Sequence, residues 1–361
     1  MDPLEIAIPL TVGFGVSLAL TVPAGALARR LGAVDRPTER GVSRRDDMPL
    51  WGGLAVGVAV ALAVAAWIVF TGGEVPAREI ACLSAGAGLL LVVGLWDDRF
   101  GLGAWPKLTA QLVAASLAVW SGFEIARLTD PFTLQMVDFP RWVVWPATLL
   151  WIIGITNAVN LLDGLDGLAS GVGAIIGITL TLIAYQAGEP FGVCLGLALV
   201  GALLGFLPHN FPPARIFLGD TGSTLIGYTL AIVALDSYRR VSLITFVVPL
   251  LALAVPILDT LLSIVRRVRL RAPILSADRM HMHHRLLDAE GSTRAAVLQF
   301  YLLTAAFCLI ALSFTQLQGL SAAIFLMAVI ALTLRLLWNL GSFQLHADEE
   351  SGQSDAPGGS S

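Results

Sequence analysis

Eleven stretches of this chain are apolar for long enough to cross a lipid bilayer, and that repetition constrains the fold more than any other feature. They lie at about 4–27, 51–71, 80–96, 105–121, 142–159, 167–186, 190–207, 221–236, 242–262, 297–314 and 320–338. In lipid every backbone N–H and C=O has to be paired within the protein, so a chain built from such runs folds as a bundle of helices. The expected fold class is all-α, a polytopic integral membrane protein with about 11 transmembrane helices. Composition agrees, with only 13% charged residues against roughly 25% in soluble domains. Residues 1–340 read as a single transmembrane domain. Residues 341–361 read as a disordered cytoplasmic tail, because the end of the chain (ADEESGQSDAPGGSS) is small, polar and acidic. The N-terminus lacks a basic region and a small-residue cleavage site, so the first run reads as a spanning helix and not a removed signal. Cys82, Cys194 and Cys308 sit unpaired in apolar runs and read as small buried hydrophobes.

Basic residues in the loops set the orientation. With eleven helices, 17 of the 22 Lys and Arg residues fall on one side and 5 on the other. The richer side is the expected cytoplasm, which places the N-terminus outside and the C-terminus inside. Four polar stretches then fall on that same face: Asp97–Asp98, Asn157–Asp166, His209–Asp220 and Asp278–His284. Scattered structural residues would have no reason to sort to one side, whereas one site assembled from four loops would require it. The external connection over 122–141, with Pro131 and Pro140, reads as a short surface element.

Each stretch has chemistry to offer. Asn157, Asn160, Asp163 and Asp166 recur every third residue in NAVNLLDGLDG. Three residues advance a helix by about 300°, so they form a slowly winding polar band. Carboxylates at a bilayer boundary are costly and point to function, although a helix end with a Gly-rich turn is the plainer alternative. Asp97 and Asp98 repel as neighbours, and Mg²⁺ with a phosphate would relieve them; a solvated pair beside Arg99 is the alternative. Lys107 is the one Lys among 22 basic residues and follows Pro106 at the start of a helix. It could reach a phosphate, or simply snorkel to the surface. Asp220, between Gly219 and Thr221–Gly222, stands at a helix entry where backbone N–H groups suit a phosphate and a carboxylate suits its metal. Phe217, three residues earlier, could stack a base or pack internally. His281, His283 and His284 lie within four positions. No Cys is near them, and the oxygen donors elsewhere favour Mg²⁺ over zinc, so phosphate binding or proton movement is the expected role.

Together these residues resemble the polyprenyl-phosphate N-acetylhexosamine-1-phosphate transferase superfamily. The shared motifs run in one order through nearly the whole helical chain: VDRP and PLWGG, DD, Lys107 with Gln111, NAVNLLDGLDG, NFPPARIFLGDTGS and DRMHMHHRLL. The DRxHxHHRL ending and the eleventh helix resemble the branch that transfers GlcNAc-1-phosphate to undecaprenyl phosphate. Where the family often has Lys and His after Arg40, this chain has Gly41 and Ser43, which bears on donor-sugar contacts and not on the phosphoryl chemistry.

The resemblance implies a bacterial plasma-membrane enzyme with a cytoplasmic site. Its substrates would be UDP-GlcNAc and a polyprenyl phosphate, its ion Mg²⁺ with Mn²⁺ as a substitute, and it would have no nucleic-acid partner. A homodimer is left open. Asp220 and Asn160 would hold the metal. Asp97 would prepare the lipid phosphate, Asp98 would support the metal or Lys107, and Lys107 would contact phosphate. Asp163, Asp166, Asn210 and Phe217 would frame the nucleoside. His281, His283 and His284, with Arg279 or Arg285, would hold the diphosphate. The alternatives are the MurNAc-pentapeptide substrate or another UDP-N-acetylhexosamine. A secondary transporter is the alternative outside the enzymes, disfavoured because the acids gather at one face.

Overall fold

A computed structural model of the protein describes residues 1–35, 47–129, 136–237, 243–269, 286–287 and 291–315, with scattered positions between 321 and 335. Arg279, His281, His283, His284 and Arg285, together with Arg40, Gly41 and Ser43, lie outside the described residues.

The helix of Gly219–Ser237 is the axis of the bundle. All residues from Thr221 to Ser237 are buried, polar ones included, so the helix is enclosed on every side. Around it in chain order stand α1 (Pro3–Leu31), α2 (Gly52–Thr71), α3 (Ala77–Phe100), α4 (Ala104–Ser121), α5 (Arg141–Leu162), α6 (Leu168–Ala187) and α7 (Pro190–Asn210). The axial helix is α8, and α9 (Leu243–Ala252), α10 (Ala254–Arg269) and α11 (Thr293–Phe314) follow. Helices α2, α3, α5, α6 and α7 touch α8 directly, while α1 packs outside along α2 and α7. Seven helices among the described residues are long and apolar enough to cross a membrane. The chain is thus a mostly helical membrane protein.

Close approach to α8 is bought with small residues. A Cβ on Gly53 of α2 would lie 2.1 Å from the Gly222 backbone nitrogen, and one on Gly94 of α3 would lie 2.5 Å from Thr221 Cα. The PLWGG motif therefore marks the place where two backbones touch.

Two features depart from the run-by-run expectation. The ninth apolar run is not one helix: it breaks after Ala252 into α9 and α10. Pro256 has no N–H to give the Ala252 carbonyl, and Cys308 Sγ lies 3.8 Å from that oxygen instead. The helices also continue past their apolar runs. Asp97 and Asp98 lie in the last turn of α3, Asn157 and Asn160 in the last two turns of α5, and His209 and Asn210 end α7. These residues are therefore held on rigid helix ends, while Asp163, Asp166 and Phe217 lie in the connections that follow.

Two short antiparallel ribbons complete the fold. β1 (Val34–Asp35) pairs with β2 (Met48–Pro49), and β3 (Arg127–Thr129) with β4 (Met136–Asp138). The second is the surface element expected over 122–141, and an Arg141–Glu124 ion pair of 2.6 Å closes its base. Exposed aromatics ring both ends of the bundle, as at the two interfaces of a bilayer. Trp96, Phe100 and Trp105 (71% exposed) stand around the α3–α4 turn, and Trp120 and Trp142 (77% exposed) at the opposite end.

Candidate active site

Four helices converge at the end of the bundle that carries Trp96 and Trp105. The Lys107 ammonium, in the first turn of α4, lies 2.7 Å from Asp97 Oδ2 of α3 and 2.5 Å from Asp220 Oδ2 of α8. Asn160 of α5 donates through Nδ2 to Asp220 Oδ1 at 3.2 Å and to Ser223 Oγ at 2.8 Å. The other Asp97 oxygen accepts from the Leu102 backbone N–H at 2.6 Å. Asp97 is nearly enclosed, while the Lys107 side chain stays 30% exposed and reachable from the rim.

Asp98 has a separate task. Its Oδ1 accepts from the Asp220 N–H at 2.8 Å, and its Oδ2 accepts from the Thr221 hydroxyl at 2.6 Å and the Thr221 N–H at 3.4 Å. A carboxylate from α3 thus caps the N-terminus of α8, where a negative charge is favoured. This fixes the backbone of Asp220 itself. The fit depends on Gly219, whose φ of +74° is left-handed. A Cβ there would stand 2.2 Å from the Leu50 carbonyl oxygen and 2.5 Å from Asp98 Oδ2.

The loop before α8 is tied down by residues expected to frame a nucleoside. Asp166 Oδ2 accepts from the Ala214 N–H at 2.8 Å. Asn210 is buried, accepting from the Ser170 hydroxyl at 2.6 Å and donating to the Ile216 carbonyl at 3.0 Å. Phe217 is half-buried and bonded through its backbone alone among these contacts: its N–H reaches the Pro49 carbonyl at 2.8 Å, and its own carbonyl accepts from Gly52 N–H at 3.0 Å. The PLWGG and IFLGD motifs are therefore one backbone-paired unit. Asp163 caps the C-terminal end of α5. Burial, and after it the charges of Asp220, Asp98 and Asp166, push its carboxyl well above the usual carboxylate range. A bound cation would relieve that pressure.

Sequence reasoning named Gln111 and Asn157 without pairing them, and passed over other supports. Gln111 and Asn157 form a reciprocal amide pair across α4 and α5, Gln111 Nε2 donating at 3.3 Å and Asn157 Nδ2 donating back at 2.6 Å. The four-residue step from Lys107 to Gln111 and the three-residue step from Asn157 to Asn160 were the available signals. Tyr301 of α11 donates to the Gly167 carbonyl at 2.6 Å, and Arg294 Nε to the Pro212 carbonyl at 2.8 Å. Nothing local in the sequence marks either one. Leu286 and Leu287, which follow the histidine motif, pack against the core.

The residues fit a divalent ion. One oxygen from each of Asp97, Asp98 and Asp220 lies within 4.8 Å of the others, and carboxylate oxygens are the donors Mg²⁺ and Mn²⁺ prefer. Asp98 already takes three donors, so Asp97 and Asp220 are the better placed. Asn160 directs Nδ2 at Asp220, so it orients that carboxylate; to serve as a ligand its amide would have to turn over.

The N–H groups at the entry of α8, expected to suit a phosphate, are taken by Asp98 instead; carboxylates and an ammonium converging at one rim of a membrane bundle are still the equipment of a membrane-embedded transferase working on phosphates. The model of the family described as "Glycosyl transferase family 4" matches residues 80–238, the span from α3 to just past α8. The chain is 38% identical over 304 residues to the probable undecaprenyl-phosphate N-acetylglucosaminyl 1-phosphate transferase of Bacillus subtilis (strain 168), covering 83% of each chain. It is 38% identical over 303 residues to the decaprenyl-phosphate N-acetylglucosaminephosphotransferase of Mycolicibacterium smegmatis, covering 76% of this chain and 74% of that one. A phospho-N-acetylmuramoyl-pentapeptide-transferase of Levilactobacillus brevis is 33% identical over 265 residues, 67% of this chain and 78% of that one. The chain belongs to glycosyl transferase family 4, the polyprenyl-phosphate hexosamine-1-phosphate transferases.

Proposed function

We propose that the protein transfers GlcNAc-1-phosphate from UDP-GlcNAc to undecaprenyl or another polyprenyl phosphate, releasing UMP. The observation that carries this reading is the convergence of Lys107, Asp97, Asp220 and Asn160 at one rim of the bundle. The choice of sugar is supported by relatives that bear the GlcNAc name at 38% identity over 83% and 76% of this chain, against 33% and 36% over 67% and 64% for relatives that bear the MurNAc-pentapeptide name.

A phosphate oxygen of the lipid attacks the β-phosphorus of the donor. The bond from that phosphorus to the bridging oxygen breaks, and UMP departs with the electron pair. A phosphate monoester has its second pKa near ~6, so the acceptor is largely dianionic and needs little help from a base. The protein's work is positioning and charge neutralisation. Asp98 fixes the α8 N-terminus, so Asp220 starts from one geometry. Asp97 holds Lys107, whose ammonium meets the phosphates. Asp220 and Asp97, with Asn160 orienting Asp220, would hold Mg²⁺ or Mn²⁺, and the ion would supply positive charge to neutralise the donor diphosphate. Asp163, at the end of α5, and Phe217, in the loop braced by Asp166 and Asn210, would face the nucleoside. His281, His283 and His284, with Arg279 or Arg285, would hold the diphosphate from the remaining loop.

In this reading the chain crosses a bacterial plasma membrane eleven times, with the N-terminus outside and with the site and the 341–361 tail in the cytoplasm. Residues 1–340 act as one domain.

Purified protein, undecaprenyl phosphate and UDP-GlcNAc should exchange labelled UMP into the donor, and excess EDTA should stop the exchange until Mg²⁺ is restored. Asp220→Asn should abolish it with normal expression. Full exchange by that variant, or in EDTA, would sink the metal assignment. Mass spectrometry of the lipid product from a donor panel decides between GlcNAc, MurNAc-pentapeptide and other sugars. Product formed in detergent, where no gradient exists, excludes a transporter.

A further inference from the structure

We infer that Lys107 is a built-in counter-ion that keeps the acidic centre from binding a divalent cation by itself, so that the cation and a diphosphate bind in concert. This rests on the metal reading above and adds to it how the ion is admitted.

Three carboxylates share the centre, and Asp98 is committed to the N-terminus of α8 through its three donors. The oxygens left for a cation belong to Asp97 and Asp220. Those are the two groups that the Lys107 ammonium bridges, at 2.7 and 2.5 Å. A divalent ion seeking the same oxygens meets a like charge at contact distance, in a site partly shielded from water, where repulsion is strong. The conflict ends when the ammonium gains an anion of its own. An ammonium has three donors and two carboxylates take two of them. Its flexible four-carbon stem lets it follow an arriving phosphate, while Pro106 lies in the fixed first turn of α4. A diphosphate at the rim therefore draws Lys107 off Asp220 and supplies oxygens to the incoming ion at the same moment. By linkage, whatever the diphosphate does for the cation the cation does equally for the diphosphate.

The chemistry also accounts for an oddity of composition. Among 22 basic residues Lys107 is the single lysine. A rigid planar guanidinium would hold both carboxylates without yielding them, whereas a point charge on a flexible stem can be exchanged.

The test titrates full-length purified protein in detergent with Mn²⁺ alone, reading free Mn²⁺ by electron paramagnetic resonance. It is then repeated with UDP at fixed concentration, with Mn²⁺–UDP binding accounted for. Lys107→Met keeps the bulk of the stem and removes the charge. Without UDP it should bind Mn²⁺ about tenfold or more tightly than wild type, and the strengthening by UDP should shrink by the same factor. Lys107→Gln should behave alike, which guards against a folding defect peculiar to one variant, and a wild-type melting temperature verifies each fold. Lys107→Arg should stay as weak as wild type in Mn²⁺ alone. Equal or weaker Mn²⁺ binding by both neutral variants would overturn the inference while leaving the metal reading intact. If wild type with UDP takes up no Mn²⁺ at the protein, the metal reading itself fails, and the inference with it.

Discussion

Replacing Thr221 by Val isolates the cap on α8. Thr221 is fully buried, and its hydroxyl donates to Asp98 Oδ2 at 2.6 Å. Val keeps the volume and branching that pack against Gly94 and Gly53, so the change deletes one hydrogen bond and little else. A hydrogen bond to a charged acceptor contributes about 1.5–3 kcal/mol. Asp98 would retain the backbone N–H groups of Asp220 and Thr221, so the cap loosens without being lost. If the lost restraint is felt fully at Asp220 in the transition state, kcat falls by roughly 10- to 150-fold, since each ~1.4 kcal/mol is tenfold. The labelled-UMP exchange rate measures this, with the donor KM and the melting temperature alongside. A rate within twofold of wild type (about 0.4 kcal/mol) and an unchanged melting temperature would refute the argument that Asp98 works by capping α8. A loss beyond about 10⁴-fold would refute it from the other side. That is over ~5 kcal/mol, more than one such bond supplies, and would place Thr221 among the groups touching the reacting atoms.

Asp97→Asn should slow exchange by orders of magnitude, because it releases Lys107; a loss below about tenfold (~1.4 kcal/mol) would remove Asp97 from the chemistry. Gln111→Leu leaves the Asn157 amide partly buried without its partner, at a cost of about 1–3 kcal/mol, and should lower the melting temperature in detergent. The double variant with Asn157→Leu should recover part of that loss, and strictly additive losses would show that the two amides do not act as a pair. Gly53→Ala drives a methyl into the Gly222 backbone, 2.1 Å from its nitrogen; folded, monodisperse protein at the wild-type yield on size exclusion would contradict the close approach of α2 and α8.

Much of the bundle could be read from the sequence because a bilayer leaves a chain few options. Ten apolar runs correspond to described helices, and their ends put the polar motifs of α3, α5 and α7–α8 together at one rim. What could not be read is which element a polar residue serves. Asp97 and Asp98 are identical neighbours in sequence. They differ because α3 lies against α8, so that one faces Lys107 while the other faces two backbone N–H groups. The resemblance implies Asp166 and Asn210 around the nucleoside, and nothing in the sequence shows that both also bind the loop that carries Phe217. The centrality of α8 was also hidden: it buries Thr221, Ser223, Thr224, Thr229 and Asp236 along with its apolar residues, so its sequence shows no contrast between an inner and an outer face. The break after Ala252 was visible in outline as two prolines, Pro249 and Pro256, seven residues apart in one run.

The aromatic ring at Trp96, Phe100 and Trp105 has a consequence for how the enzyme must be assayed. Trp96 precedes Asp97 directly, and Trp105 stands two residues before Lys107. Indole rings settle at the headgroup level, so on the proposed reading Asp97 and Lys107 lie at the height of a lipid phosphate. Such an acceptor would arrive by lateral diffusion in two dimensions. What the enzyme responds to is therefore surface density, and diluting the acceptor with neutral lipid or detergent should slow the reaction even when its molarity in the tube is unchanged.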